Sequence, residues 1–126
     1  MRAADTNVLV RLLVRDDEEQ VAKAEAFVER GVWAPLLAVA EAVWVLTSVH
    51  DRGRRQVAAG IRQLLDNERL TFQDPDVVES ALTLFEGRST VDFTDCLILE
   101  SARKAGHLPL GTFDRDLAKL DGAERL

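Results

Sequence analysis

Apolar residues recur every three or four positions along most of the chain, and short apolar runs separate these stretches. The first pattern is typical of amphipathic helices and the second of short buried strands. Together they predict helices over 7–15, 17–30, 36–49, 54–67, 76–87, 93–105 and 114–120, and strands over 2–5, 32–34, 69–73 and 108–113. Strands that alternate with helices predict an α/β domain with a mainly parallel sheet.

The segment 31–50 is the most apolar part of the chain and contains one charged residue, Glu41. A membrane span is disfavoured, because a charge at the centre of a span is costly and Pro35 interrupts the segment. We therefore expect residues 36–49 to form a helix buried in a protein core.

Length and composition predict one soluble globular domain over residues 1–126, with 47% apolar and 30% charged residues. A single cysteine excludes an internal disulfide, and the first residues show no signal-peptide pattern, so a cytoplasmic location is expected. The cysteine, Cys96, lies in the apolar run "DCLIL" and is expected to pack as a small hydrophobic side chain.

The opening "MRAADTNVLVRLL" has a polar triplet between two apolar stretches. Asp5, Thr6 and Asn7 are residue types that cap helices, so a helix start alone would explain them. Asp5 also follows the first predicted strand, as Asp114 follows the last. Ligands of open α/β sheets bind at the carboxyl ends of strands, so both acids are expected at one edge of the sheet.

Glu41 is the most informative single residue, because its helical neighbours at three and four positions are all apolar. The sequence predicts a buried carboxylate, which must find a partner or take up a proton. A structural pair with a distant arginine or a backbone amide is the plain alternative to a functional role.

Asp95 lies beside the predicted buried stripe of helix 93–105, which includes Ile98, Leu99 and Ala102. Helix capping is the alternative here, with Asp92 as the N-cap and Asp95 as the third helical residue.

The segment "TFDRDL" adds Asp114 and Asp116, a spacing that suits either a helix cap or a metal ligand pair. Several carboxylates at one sheet edge would repel one another, and a hard divalent cation relieves that repulsion. The sequence has no Cys/His cluster and no glycine-rich phosphate loop. The pattern therefore favours metal-assisted chemistry on a phosphate ester.

Four segments, "DTNVLVRLL", "LLAVAEAVWVL", "VDFTDCLIL" and "GTFDRDLAKL", occur in an order and spacing that resemble PIN-domain proteins of the VapC-like toxin group. The resemblance covers essentially the whole chain. It implies a three-layer α/β/α sandwich with a mainly parallel central sheet, and an endoribonuclease that depends on Mg²⁺ or Mn²⁺.

The resemblance also implies roles for individual residues. Metal-binding and catalytic acids are expected at Asp5, Glu41, Asp95 and Asp114. Asp92 and Asp116 are neighbouring acids that some members use as metal ligands, and Asn7 and Thr112 are expected to support the site. The carboxylates would hold metal that activates water for hydrolysis of an RNA phosphodiester bond.

A net charge of −6 argues at first against a nucleic-acid partner. Without the six candidate acids, however, acidic and basic residues balance at 16 each. Arg11 and Arg15 share a helix face, and Arg54 and Arg55 begin another helix. We predict phosphate contacts for these four, with a solvated surface as the alternative.

Partners follow from the resemblance as well: an RNA substrate, a second copy in a homodimer, and a small inhibitory antitoxin. Helices 7–15 and 36–49 are candidate docking surfaces for the antitoxin.

Three alternative functions remain, which are a catalytically silent metal- or partner-binding module, a phosphoacceptor receiver domain and a topoisomerase-primase-type domain. This chain lacks the adjacent acids that receiver domains usually carry after the first strand. Topoisomerase-primase-type domains place their glutamate on the first strand, unlike Glu41 here.

Overall fold

The computed structural model describes residues 1–126, and the chain divides into two compact units, residues 1–75 and 76–126. The first unit contains β1 (Arg2–Ala3), α1 (Thr6–Leu13), α2 (Glu18–Val28), β2 (Val32–Ala34), α3 (Leu36–Ser48), α4 (Arg54–Leu65) and β3 (Leu70–Phe72). The second contains α5 (Pro75–Gly87, whose first residue belongs to the first unit), α6 (Phe93–Ala105), β4 (Leu110–Thr112), a 3₁₀ turn (Leu117–Lys119) and β5 (Ala123–Arg125). The single domain predicted over residues 1–126 stays a prediction.

All strand pairs are parallel, which confirms the predicted α/β class. In the first unit β2 lies between β1 and β3, and Trp33 of β2 is in register with Ala3 on one side and Thr71 on the other. In the second unit β4 pairs with β5, with Gly111 opposite Glu124. The backbone hydrogen bonds thus give two sheets where the sequence predicted one.

Helix α1 is the centre of the first unit, where it packs against α2 and α3. Leu9 and Val10 of α1 and Val39 and Ala42 of α3 are almost completely buried. Burial of one leucine or valine side chain stabilises a fold by roughly 1.5–3 kcal/mol, so this contact is a main source of stability in the unit.

The prediction that α3 is buried in a core is confirmed for one side of the helix only. Leu37 is 83% exposed and Trp44 is 62% exposed, while Val39, Ala42 and Leu46 are buried. Only one stripe of a helix can face a single core, and an apolar run without a polar face does not show which stripe that is. No helix of the structure is both long and apolar enough to cross a membrane.

In the second unit the rings of Phe85 in α5 and Phe93 in α6 meet edge to face, with centroids 5.7 Å apart. Cys96 is fully buried, as predicted. The predicted buried stripe of α6 is partly wrong, because Ile98 is about half exposed and Leu97 is buried instead. At 3.6 residues per turn, Ile98 lies on the side of α6 opposite Phe93 and Cys96.

The end of the chain differs most from the prediction. The helix predicted over 114–120 is only a 3₁₀ turn, Leu117–Lys119, and the strand Ala123–Arg125 was not predicted. Gly122 adopts φ +92° before this strand, a conformation that glycine adopts readily. A three-residue strand has too few side chains to show alternation, and its pairing with β4 defines it.

Candidate functional site

Asp5 and Glu41 lie at the carboxyl ends of two neighbouring parallel strands. Asp5 follows β1 by two residues and is the N-cap of α1. Glu41 is in the second turn of α3, which begins two residues after β2. The three-stranded sheet therefore places both acids at the edge where α/β folds bind ligands.

Thr6 connects these two acids through two hydrogen bonds. Its backbone N–H donates to Asp5 Oδ1 at 2.7 Å, and its Oγ1–H donates to Glu41 Oε2 at 2.8 Å. Thr6 is the single polar residue classed as buried, with 6% of its surface exposed. From the sequence, no role beyond helix capping is expected for Thr6, because Asp-Thr-Asn is typical of a helix start.

The predicted burial of Glu41 is wrong, because its side chain is exposed. Glu41 shares the exposed side of α3 with Leu37 and Trp44, so the apolar sequence around it does not correspond to an apolar environment. Its partner is the hydroxyl of Thr6 on α1, and not an arginine or a backbone amide.

The cap and ligand roles of Asp5 are compatible, because the helix cap uses only Oδ1. Asn7, the predicted supporting residue, is exposed and forms no hydrogen bond with either acid. Its side chain lines a groove between α1 and α2 together with Arg11 and Phe27. The residue that hydrogen-bonds both acids is the preceding one, Thr6, and the supporting role of Asn7 stays a prediction.

The second unit contains its own group of acids around the start of α6. Asp95 lies in the first turn and is half-buried, and Asp92 is the exposed N-cap residue. Burial raises the pKa of the Asp95 carboxyl, and the negative charges of Asp92 and Asp114 raise it further. Asp92 occupies the predicted cap position, but its side chain accepts no hydrogen bond from the helix.

The structure distinguishes Asp114 from Asp116. Asp114 Oδ1 accepts a hydrogen bond from the Leu117 N–H at 2.8 Å, and the Asp114 N–H donates to Thr112 Oγ1 at 3.0 Å. Asp116 instead lies 3.8 Å from the Lys119 ammonium. Of the two acids, Asp114 is the one whose charge raises the pKa of Asp95. Thr112 contacts Asp114 directly.

These carboxylates have the chemistry of a site for a hard divalent cation. Within its own unit, none of Asp5, Glu41, Asp92, Asp95 and Asp114 forms an ion pair with Lys or Arg. Unpaired carboxylate oxygens are the ligands that Mg²⁺ and Mn²⁺ prefer. No group of three or more Asp, Glu, His or Cys side chains is gathered closely enough to hold a metal ion.

Two of the four arginines predicted to bind RNA are engaged in ion pairs. Arg11 Nη1 lies 2.5 Å from Asp16 Oδ1, and Arg15 Nη2 lies 2.6 Å from Glu25 Oε1. The Arg11 hydrogen bond lowers the pKa of the Asp16 carboxyl. Binding of a phosphate by Arg11 or Arg15 would have to compete with these carboxylates. Phosphate contacts at Arg54 and Arg55 stay a prediction.

Comparison with known families gives one match over nearly the whole chain. The model of the PIN domain matches residues 3–123, which includes every candidate acid in both units. No curated protein matches the sequence. PIN domains are generally metal-dependent nucleases, so the fold is of the nuclease type. The chain therefore belongs to the PIN domain family.

Proposed function

We propose that this PIN domain is a metal-dependent endoribonuclease that acts as the toxin of a toxin–antitoxin pair. The observation that supports it best is the placement of Asp5 and Glu41 after two neighbouring parallel strands of a PIN domain, where Thr6 hydrogen-bonds both carboxylates. The half-buried Asp95, whose pKa is raised by burial and by the charges of Asp92 and Asp114, supports it further. Carboxylates that repel one another without a cation lower the stability of a fold, and a metal site is the common functional reason for keeping them.

The proposed site residues act through their oxygens. Asp5, Glu41, Asp95 and Asp114 would hold Mg²⁺ or Mn²⁺, with Asp92 and Asp116 as further acids and Asn7 and Thr112 in support. When bound, such an ion supplies activation of water and neutralisation of charge on the scissile phosphate.

Local hydrogen bonds restrict two of these acids before any ligand binds. The Thr6 N–H holds Asp5 Oδ1, and the Leu117 N–H holds Asp114 Oδ1. A fixed carboxylate loses less conformational entropy when it binds a ligand, which favours the ordered site.

The proposed partners are RNA, a small antitoxin and a second copy of the chain, in the cytoplasm. The exposed Leu37 and Trp44 on α3 support the view that this helix contacts a protein, because large apolar side chains in water are unfavourable. Helix α1 offers less, since Leu9 and Val10 are turned into the core.

The test is cleavage of a panel of labelled structured RNAs by the purified chain with Mg²⁺, with Mn²⁺ and with EDTA. We expect cutting that requires metal and that Asp5→Asn lowers by at least about 100-fold, since even outer-shell changes at metal sites cost 10–100-fold. Asparagine caps a helix as well as aspartate does, so the variant should stay folded.

The matched control is Glu79→Gln, which neutralises an exposed acid on α5 outside the candidate site. This variant should cut like the wild type. Cleavage that persists in EDTA, or that Asp5→Asn leaves unchanged, would contradict the proposed mechanism.

A catalytically silent module is the second candidate, and one observation favours it: Leu37 and Trp44 on α3 are exposed apolar side chains that suit a protein partner. Under this alternative the folded chain binds Mn²⁺ or a protein partner and cuts no RNA of the panel. Cleavage that depends on both metal and Asp5 would exclude it.

A further inference from the structure

Thr6 is a buried polar residue that contacts two candidate site acids. It is the single polar residue with less than a tenth of its surface exposed, and it hydrogen-bonds two candidate acids. Its hydroxyl hydrogen bond crosses from α1 to α3, which joins residues 35 positions apart in the sequence.

A purely structural role explains the hydroxyl poorly. Threonine inside a helix usually bonds the carbonyl one turn earlier, as Thr47 Oγ1 does with the Val43 carbonyl at 2.9 Å. Thr6 is the first residue of α1 and has no preceding turn. A buried hydroxyl needs a hydrogen-bond partner, whereas valine would fill the same space without that need.

The partner of this hydroxyl is an exposed glutamate, whose side chain would otherwise sample many rotamers. Ordering a glutamate side chain when it binds a ligand costs conformational entropy. The Thr6–Glu41 hydrogen bond restricts the carboxylate in advance, and the Thr6 N–H does the same for Asp5. One buried residue therefore holds an oxygen of each of two carboxylates.

We propose that Thr6 is a positioning residue that holds Glu41 next to Asp5 so that both carboxylates can bind the same divalent cation. This inference rests on the proposed function, because it assigns Thr6 a part in that metal site. Asp5, Thr6 and Glu41 all belong to the first unit, so the proposal concerns the geometry within that unit alone.

The test measures Mn²⁺ binding to the purified full chain by isothermal titration calorimetry, with RNA cleavage measured in parallel. Thr6→Val keeps the shape and removes the hydroxyl, and we expect about 10-fold weaker Mn²⁺ binding with a matching loss of cleavage. Thr6→Ser restores the hydroxyl and should return both values close to those of the wild type.

Thr47→Val is the matched control, because it removes a threonine hydroxyl from the helix that carries Glu41 without touching an acid. It should leave Mn²⁺ affinity unchanged. A double-mutant cycle with Glu41→Ala separates positioning from general damage. Once Glu41 is absent, Thr6→Val should weaken Mn²⁺ binding little further.

The outcomes separate the two proposals. A wild type that binds Mn²⁺ and cuts RNA, with Thr6→Val unchanged in both, overturns the role of Thr6 and leaves the nuclease standing. Equal losses in Thr6→Val and Thr6→Ser, or a full further loss in the Glu41→Ala background, also overturn it. A wild type that neither binds Mn²⁺ nor cuts RNA overturns both proposals.

Discussion

Asp95 and Asp76 of the second unit have opposite surroundings. Asp95 is half-buried near two other carboxylates, and its pKa is raised by burial first and by Asp92 and Asp114 next. Asp76 is exposed and accepts a hydrogen bond from Lys104 Nζ at 2.9 Å, which lowers its pKa. The fold disfavours the charged form of Asp95 and favours the charged form of Asp76. The two residues must therefore make the free energy of unfolding depend on pH with opposite signs.

We predict that Asp95→Asn is more stable than the wild type at pH 7. Because the native pKa of Asp95 is raised, the wild type loses stability as pH rises from about 4 through that pKa, and asparagine avoids the loss. The charge of a first-turn acid normally favours a helix, and at Asp95 we expect burial and the charges of Asp92 and Asp114 to outweigh that effect. The melting temperature at pH 7 should rise by a few degrees, and the difference should vanish below about pH 4.

Asp76→Asn is the control of opposite sign. Its carboxylate stabilises the fold above the usual aspartate pKa, and this contribution is lost as pH falls through the lowered native pKa. The variant should melt below the wild type at pH 7 and approach it in acid. A lower melting temperature for Asp95→Asn at pH 7 would contradict our account of the acidic group.

At the scale of elements, the ends of helices α5 and α6 show two uses of glycine. Gly106 follows α6 with φ +82° and donates its N–H to the Ala102 and Arg103 carbonyls. Gly87 is the last residue of α5 and has no positive φ. A Cβ at either position would meet no atom within 4 Å, so only backbone conformation separates the two sites.

We predict that Gly106→Ala lowers the free energy of unfolding by about 1–2 kcal/mol, the cost of an L-residue in the left-handed region. Gly87→Ala should leave stability unchanged or raise it by about 0.5 kcal/mol, since alanine restricts the unfolded chain. Urea unfolding of both variants measures the difference. Equal stabilities would show that the α6 terminus adjusts without strain.

At the scale of the whole molecule, the net charge of −6 arises from a small number of acids. Outside the six candidate site residues, acids and bases balance at 16 each. Several bases are engaged in ion pairs, among them Arg11 with Asp16 and Arg15 with Glu25. RNA binding would therefore depend on where positive charge is accessible and not on the total charge.

We predict that Arg54→Ala with Arg55→Ala weakens RNA binding and lowers the slope of log affinity against log salt by about 1–2, as for the loss of two phosphate contacts. The binding measurement uses an Asp5→Asn background so that RNA stays intact. Arg30→Ala with Arg125→Ala removes the same charge elsewhere and should change the slope less. Equal slopes in the two double variants would assign Arg54 and Arg55 to the solvated surface.

The sequence by itself determined the order and type of nearly all elements. The helix starts at Asp5 and Asp17 and the helix stop at Gly106 are local features that need no distant contact. Helix α2 ends at Val28, shortly before the predicted stop at Gly31. The acids were also visible in the sequence, because a carboxylate such as Glu41 in an apolar run is conspicuous whichever way it faces.

Tertiary structure decided which way the side chains face and which atoms they meet. The exposure of Glu41 and Trp44 depends on which stripe of α3 contacts α1, and an unbroken apolar run does not contain that information. The Thr6–Glu41 hydrogen bond joins α1 and α3, which follow the paired strands β1 and β2 and pack against each other. Strand β5 forms because it pairs with β4. This interaction is non-local, so the sequence of three residues does not predict it.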